Sequence, residues 1–170
     1  MIVGVGVDVV EIARVARALD RHPRFAERVY TKAERDASAR RGVGAVAYLA
    51  KRWAAKEAVS KALGVGFSGF SYTDIEVVNL RSGAPTVSLR GELGDWAQAL
   101  GVLRWHLSLS DTDELAFANV MAEGPEVLPE RPDAPPPWVR RRLERRAAAT
   151  GKRPGQPAPD DRPAAGGGFT

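Results

Sequence analysis

Apolar residues follow two rhythms along this chain, and the changes between them mark out an ordered set of elements. Ile2 to Val10 is dominated by β-branched residues and predicts a strand, with Gly4 and Gly6 marking a place where another backbone comes close. From Glu11 to Arg21 the spacing changes, and Ile12, Val15, Ala16 and Leu19 recur at the intervals of an amphipathic helix. Pro23 interrupts that helix and opens a second, short one carrying Phe25. Thr31 and Glu34 have the form of a capping box, so a third helix runs from there to about Arg40 and stops at Gly42 and Gly44. An alanine-rich helix follows from about Ala45 to Leu63, with Gly64 as its C-terminal cap. Tyr72 to Leu80 and Pro85 to Arg90 read as strands joined by a hairpin turn, and Gly91 to Leu100 reads as a short helix. Leu103 to Ser110 and Leu115 to Ala122 alternate around the turn residues Asp111, Thr112, Asp113 and Glu114. Elements in this order predict an α+β fold, with helices packed on an antiparallel or mixed sheet.

The pattern fades after Gly124. Ten of the twelve prolines and the run Gly166-Gly167-Gly168 lie between 124 and 170, a composition that does not repay the entropy of ordering. The expected organisation is a domain over 1–123 and a disordered Pro/Arg/Gly-rich tail over 124–170. Charge divides in the same way: residues 1–123 carry 16 Lys and Arg against 15 Asp and Glu, and the tail carries 9 against 6. The tail's Arg140-Arg141-Arg142 run therefore reads as a solvated segment, and a specific nucleic-acid role is not expected. The absence of cysteine excludes disulfides, thiolate catalysis and cysteine-based zinc sites. No stretch reaches the roughly 18 apolar residues that span a bilayer, and no basic region precedes the short apolar run at the N-terminus. The expectation is a cytoplasmic protein without membrane contact.

Asp8 closes the apolar run Val3-Gly4-Val5-Gly6-Val7, where a carboxylate buried without a partner would be costly. It either caps the helix that begins near Glu11 or ligates a cation; these two roles stay open, and one residue can contribute to both. On the alanine-rich helix, Ala55, Ala58, Val59 and Ala62 form an apolar stripe, while Glu57, Ser60 and Lys61 fall on the opposite side. Glu57 and Lys61 form at least a surface pair four residues apart. Combined with Asp8, they point to Mg²⁺-assisted phosphate chemistry: two carboxylates for a hard cation, and lysines to neutralise phosphate. Strand alternation puts Arg104, His106, Ser108 and Ser110 on one face, opposite Trp105 and Leu107. That face is either an anion-binding wall or the solvent side of a sheet. Arg14, Arg17, Arg21, Arg24 and Arg28 are spaced by threes and fours, a basic stripe that attracts an acidic protein surface.

Three segments, Ile2 to Ile12, Arg52 to Gly64 and Trp105 to Ser110, in this order and at this spacing, resemble the holo-acyl-carrier-protein synthase family of 4′-phosphopantetheinyl transferases. The resemblance runs from about residue 2 to residue 123. It implies a 4′-phosphopantetheinyl transferase-like fold and transfer of 4′-phosphopantetheine from coenzyme A, the co-substrate, to a serine of apo acyl carrier protein. Adenosine 3′,5′-bisphosphate would be released, within fatty acid biosynthesis and lipid metabolism. By that resemblance, Asp8 and Glu57 hold Mg²⁺, and Asp8, Glu57 and Lys61 form the catalytic set. The resemblance places Arg52, Lys61 and His106 at the coenzyme A site, to which Lys56 and Ser108 are added here. It also implies a homotrimer with sites between subunits, and docking of acidic carrier protein on Arg14, Arg21, Arg24 and Arg28. The acceptor of the serine proton stays open among Glu57, Asp8 and a water held by the metal.

The sequence departs from the family at Asp111, where a histidine commonly follows Ser-Leu-Ser. An ionised aspartate repels phosphate, so Asp111 faces away, contacts metal-held water, weakens the activity, or simply starts the turn. Two other readings use the same residues. A Mg²⁺-dependent hydrolase of pyrophosphate-containing nucleotides would release phosphopantetheine into solution, and a coenzyme A sensor would bind without transfer.

Overall fold

A computed structural model describes residues 1–65, 70–127, 136, 138–141, 144 and 145. Its elements follow the predicted order: β1 Ile2–Glu11, α1 Ile12–Arg21, α2 Phe25–Val29, α3 Lys32–Ala39, α4 Ala45–Ala62, β2 Ile75–Asn79, β3 Pro85–Leu89, α5 Gly91–Ala99, β4 Arg104–Asp111 and β5 Leu115–Glu123. β1, β5 and β4 form an antiparallel sheet in that spatial order, and β2 and β3 form a separate antiparallel hairpin. The Thr31–Glu34 capping box is present, with Thr31 Oγ1 accepting from the Glu34 amide and Glu34 Oε2 accepting from the Thr31 amide.

Everything is arranged around α4. One side of this helix lies directly on the sheet, because Gly4 and Gly6 of β1 present no side chain; a Cβ at either would collide with the carbonyl oxygen of Ala62 or Ala58. Alanines at 54, 55, 58 and 62 keep the rest of that contact close, and all four are buried. The opposite side of α4 is covered too. Glu57 is 3% exposed and Ser60 is fully buried, so the expected amphipathic helix with a solvent face at Glu57 and Ser60 is instead a central helix, and only Lys61 among those residues reaches the surface. The wheel identified one packing face; the partner on the other side comes from α1, α3 and the β2–β3 hairpin, remote in sequence.

A second difference shifts the start of β2. Residues 72–74 form a 3₁₀ turn, fixed by Ser71, which accepts from the Thr73 amide, and by Asp74, which accepts from the Ser71 amide. This local cap stops the strand from extending back to Tyr72, and it turns the Tyr72 ring toward α4.

The core continues beyond the last strand. Trp138 and Val139 are 8% and 5% exposed and pack with Val65, Ile75, Leu93, Ala97 and Leu100. The remainder of the tail expected to be disordered lies largely outside the described residues.

Candidate active site

Asp8, Glu57, Trp53, Tyr72, Arg14 and Phe25 line one cleft of about 310 Å³ between β1, α1 and α4. Asp8 sits inside β1, paired with Ala118 of β5, and not at the strand's end. Its side chain does not cap α1, whose N-cap is Glu11 with no side-chain cap bond. Instead Lys61 Nζ donates to Asp8 Oδ1 at 2.7 Å and to the Val7 carbonyl at 2.9 Å, a bridge from α4 to the strand.

Glu57 approaches the same cleft from α4. Tyr72 Oη donates to Glu57 Oε1 at 2.7 Å, while Glu57 Oε2 is buried and has no hydrogen-bond partner among the described residues. Burial lifts the Glu57 carboxyl above the usual carboxylate range; the Tyr72 hydrogen bond opposes this, and the charge of Asp8 adds to it. Burial and the hydrogen bond to Glu57 push the Tyr72 phenol well above its ordinary value, so it remains a donor throughout the neutral range. Aromatic rings wall the site: Trp53 lies 4.8 Å from Phe25 and 5.9 Å from Tyr72, centroid to centroid, stacked on both sides. Tyr72 was not among the sequence candidates. Within a stretch read as a strand it gave no signal, because its role depends on the turn that starts at Ser71.

The other candidates separate. Lys56, expected at the coenzyme A site, is fully buried and bonded to Glu34 Oε2 at 2.7 Å and to the carbonyls of Val29, Tyr72 and Ile75 at 2.7–3.0 Å. Its donors are consumed, so it is a structural residue and not a phosphate ligand. Glu34 completes the junction by accepting from the Val77 amide. Arg52 is also enclosed, its guanidinium 3.7 Å from the centre of the Tyr48 ring and donating to Asn79 Oδ1 at 3.1 Å; it does not line the cleft.

His106 and Ser108 lie on the side of the sheet facing away from α4, where Trp105, Leu107 and Leu109 point inward in their place. His106 Nε2 is 2.6 Å from Glu123 Oε2. The same outer face carries Val5, Val7 and Val9, which are 57%, 46% and 53% exposed, with Phe117 and Met121 beside them. Asp111 is paired with Lys51, Nζ to Oδ1 2.7 Å, so its charge is compensated between α4 and β4. Arg14, Arg17, Arg21, Arg24 and Arg28 are all exposed, and Arg17 lies 3.8 Å from Glu11. Arg24 and Arg28 edge a groove beside His22 and Phe25, next to the cleft that Arg14 lines.

Residues 4–119 match the 4′-phosphopantetheinyl transferase superfamily. The chain belongs to this superfamily. A holo-[acyl-carrier-protein] synthase of Beutenbergia cavernae is 49% identical over 123 residues, which cover 72% of this chain and 99% of the relative. One from Hydrogenovibrio crunogenus is 44% identical, covering 72% and 98%. Among solved structures, the holo-[acyl-carrier-protein] synthase of Neisseria meningitidis is 36% identical with a TM-score of 0.66, covering 72% of this chain and 99% of that one. The Bacillus anthracis synthase, in complex with CoA (3′,5′-ADP), is 36% identical with a TM-score of 0.61, covering 74% and 99%. The transferase fold is thus the fold of residues 4–119, with its antiparallel sheet, its central helix and the cleft beside them.

Proposed function

We infer that this chain is a holo-acyl-carrier-protein synthase, transferring 4′-phosphopantetheine from coenzyme A to a serine of apo acyl carrier protein and releasing adenosine 3′,5′-bisphosphate. The meeting of Asp8 and Glu57 in one cleft of this superfamily's fold, with Lys61 paired to Asp8, carries the reading. The donor set suits Mg²⁺. Asp8 and Glu57 supply hard oxygen ligands, and Glu57 Oε2 is a buried acceptor that no described residue satisfies. Mg²⁺ held by these two carboxylates would supply positive charge against the coenzyme A pyrophosphate.

The protein's own groups do the rest. Tyr72 fixes one oxygen of Glu57 and leaves the other without a hydrogen-bond partner among the described residues. Lys61, half exposed at the rim, brings a cation to the phosphates while keeping Asp8 in place. The serine hydroxyl gives up its proton, finally to solvent, as its oxygen forms a bond to the β-phosphorus; the bridging bond to the α-phosphate breaks, and the electron pair leaves on adenosine 3′,5′-bisphosphate. Lys61 offsets the charge that develops on this leaving group.

His106 and Ser108 belong to such a site only if another copy presents them, since within one chain they lie across the sheet from Glu57. The apolar strip around Val5, Val7, Val9 and Phe117 on that outer face supports association. A homotrimer, with the cleft of one subunit completed by the outer sheet face of the next, accounts for both features. The exposed arginines of α1 and α2 beside the cleft suit an acidic carrier protein, with Arg14, Arg21, Arg24 and Arg28 as its contacts.

Incubation with Mg²⁺, coenzyme A and apo acyl carrier protein should add the prosthetic group, read by intact mass spectrometry. Asp8→Ala and Glu57→Ala should each slow transfer at least about a hundredfold. Free phosphopantetheine without carrier modification would favour a hydrolase instead. Arg21→Glu with Arg24→Glu should raise KM for carrier protein about tenfold or more and leave that for coenzyme A unchanged.

A further inference from the structure

Trp138 lies beyond residue 119, where the superfamily match ends, yet it is packed into the core of the domain. Its ring meets Phe70 edge-on, with centroids 6.3 Å apart at 82°. Phe70 in turn meets Tyr72 edge-on, at 5.5 Å and 65°. Tyr72 is held from its other side by Trp53, and its hydroxyl donates to Glu57 Oε1. Val139 is buried beside Trp138, and Arg141 approaches Glu92 of α5 at 3.6 Å, so the segment is seated at more than one point.

We propose that Trp138 is a positioning residue for the transfer reaction, holding Phe70 against Tyr72 so that the Tyr72 hydroxyl fixes the Glu57 carboxylate for the metal. The physical basis is the contact chain itself. Phe70 has Tyr72 on one side and Trp138 on another; without Trp138 its ring gains room to move, and Tyr72 loses firm packing on its Phe70 side. A carboxylate whose supporting hydrogen bond wanders binds a cation less tightly, as happens when partners behind metal ligands are removed. The segment after the last strand therefore acts on the cleft as well as on stability. This inference rests on the assignment of Glu57 as a metal ligand, and its test separates the two.

Full-length Trp138→Ala, Trp138→Phe, Tyr72→Phe and the Trp138→Ala/Tyr72→Phe double variant are titrated with Mn²⁺ by electron paramagnetic resonance, and their Mg²⁺-dependent transfer rates and urea unfolding are measured. Tyr72→Phe should weaken Mn²⁺ binding about tenfold and Trp138→Ala about threefold. Because Trp138 acts through Tyr72, the double variant should bind no worse than Tyr72→Phe alone. Half-saturating Mg²⁺ should rise in parallel, while kcat of Trp138→Ala at saturating Mg²⁺ stays within about twofold. Trp138→Phe should restore both. Wild-type Mn²⁺ affinity in Trp138→Ala, or effects of the two substitutions that multiply in full, would overturn the proposal even if stability falls. Glu57→Gln tests the underlying assignment: if it binds Mn²⁺ like the wild type, the metal reading fails. The unfolding cycle between Trp138 and Tyr72 then still decides the contact chain, coupling upholding it and additivity sinking it.

Discussion

Glu57 shows how much a single side chain's surroundings change its chemistry. On the sequence it is an ordinary helix glutamate four residues from a lysine; in the fold it is buried, with one oxygen on Tyr72 and the other without a partner. Its raised pKa has a defined consequence for stability. Below the ordinary carboxylate range both folded and unfolded chains carry the proton; between that range and the raised value only the folded chain does. Metal-free protein should therefore lose stability as pH rises through this window. In a chelator, Glu57→Gln should remove that decline and raise Tm at neutral pH, whereas added Mg²⁺ should stabilise the wild type increasingly as pH rises and the variant little. Thermal melts across pH, with and without Mg²⁺, check both signs. Lys56 gives the opposite lesson. Its position beside Glu57 suggested phosphate binding, but a fully buried ammonium bonded to Glu34 is a packing element. Lys56→Met should cost about 3 kcal/mol or more in urea unfolding by stranding the Glu34 carboxylate. Adding Glu34→Gln should recover part of that loss, and KM for coenzyme A should not change in whatever folds.

At the scale of elements, β1 and α4 are specified by residues chosen for each other. Glycine at 4 and 6 and alanine at 58 and 62 let a helix rest on a strand at backbone distance, which brings Asp8 within reach of Lys61. Gly6→Ala should push α4 off the strand and destabilise the protein by about 1–3 kcal/mol, with transfer falling further than stability alone explains because Asp8 and Glu57 separate. Paired unfolding and turnover measurements check this. The order and type of elements were legible in the sequence, since β-branched runs, helical spacing, the Thr31–Glu34 box and Gly64 each act locally. The start of β2 was misplaced because Ser71 and Asp74 form a cap within a run that otherwise looks extended. The burial of both sides of α4 was not legible, because its second cover comes from distant elements.

For the whole molecule, the division of candidate residues between two sides of one sheet is the main finding. Asp8, Glu57 and Lys61 gather on the α4 side, while His106 and Ser108 share the outer side with an apolar strip. Val7→Glu places a charge in the middle of that strip, paired across to Asn119. It should dissociate the proposed trimer and lower transfer at least about tenfold while leaving the monomer's melting temperature nearly unchanged. Sedimentation and turnover on the same sample check the two together. By itself, the sequence determined the elements, the strand alternation that aims His106 and Ser108 together, and the acidic pair Asp8 and Glu57, because each follows from local propensity, periodicity or a recognisable motif. Only tertiary structure decided that Lys56 is buried against Glu34, that Asp111 is neutralised by Lys51, that Tyr72 holds Glu57, and that Trp138 returns to the core. Each of these is a contact between residues far apart in the chain, and what a charged or aromatic side chain does there depends on the partner that burial supplies.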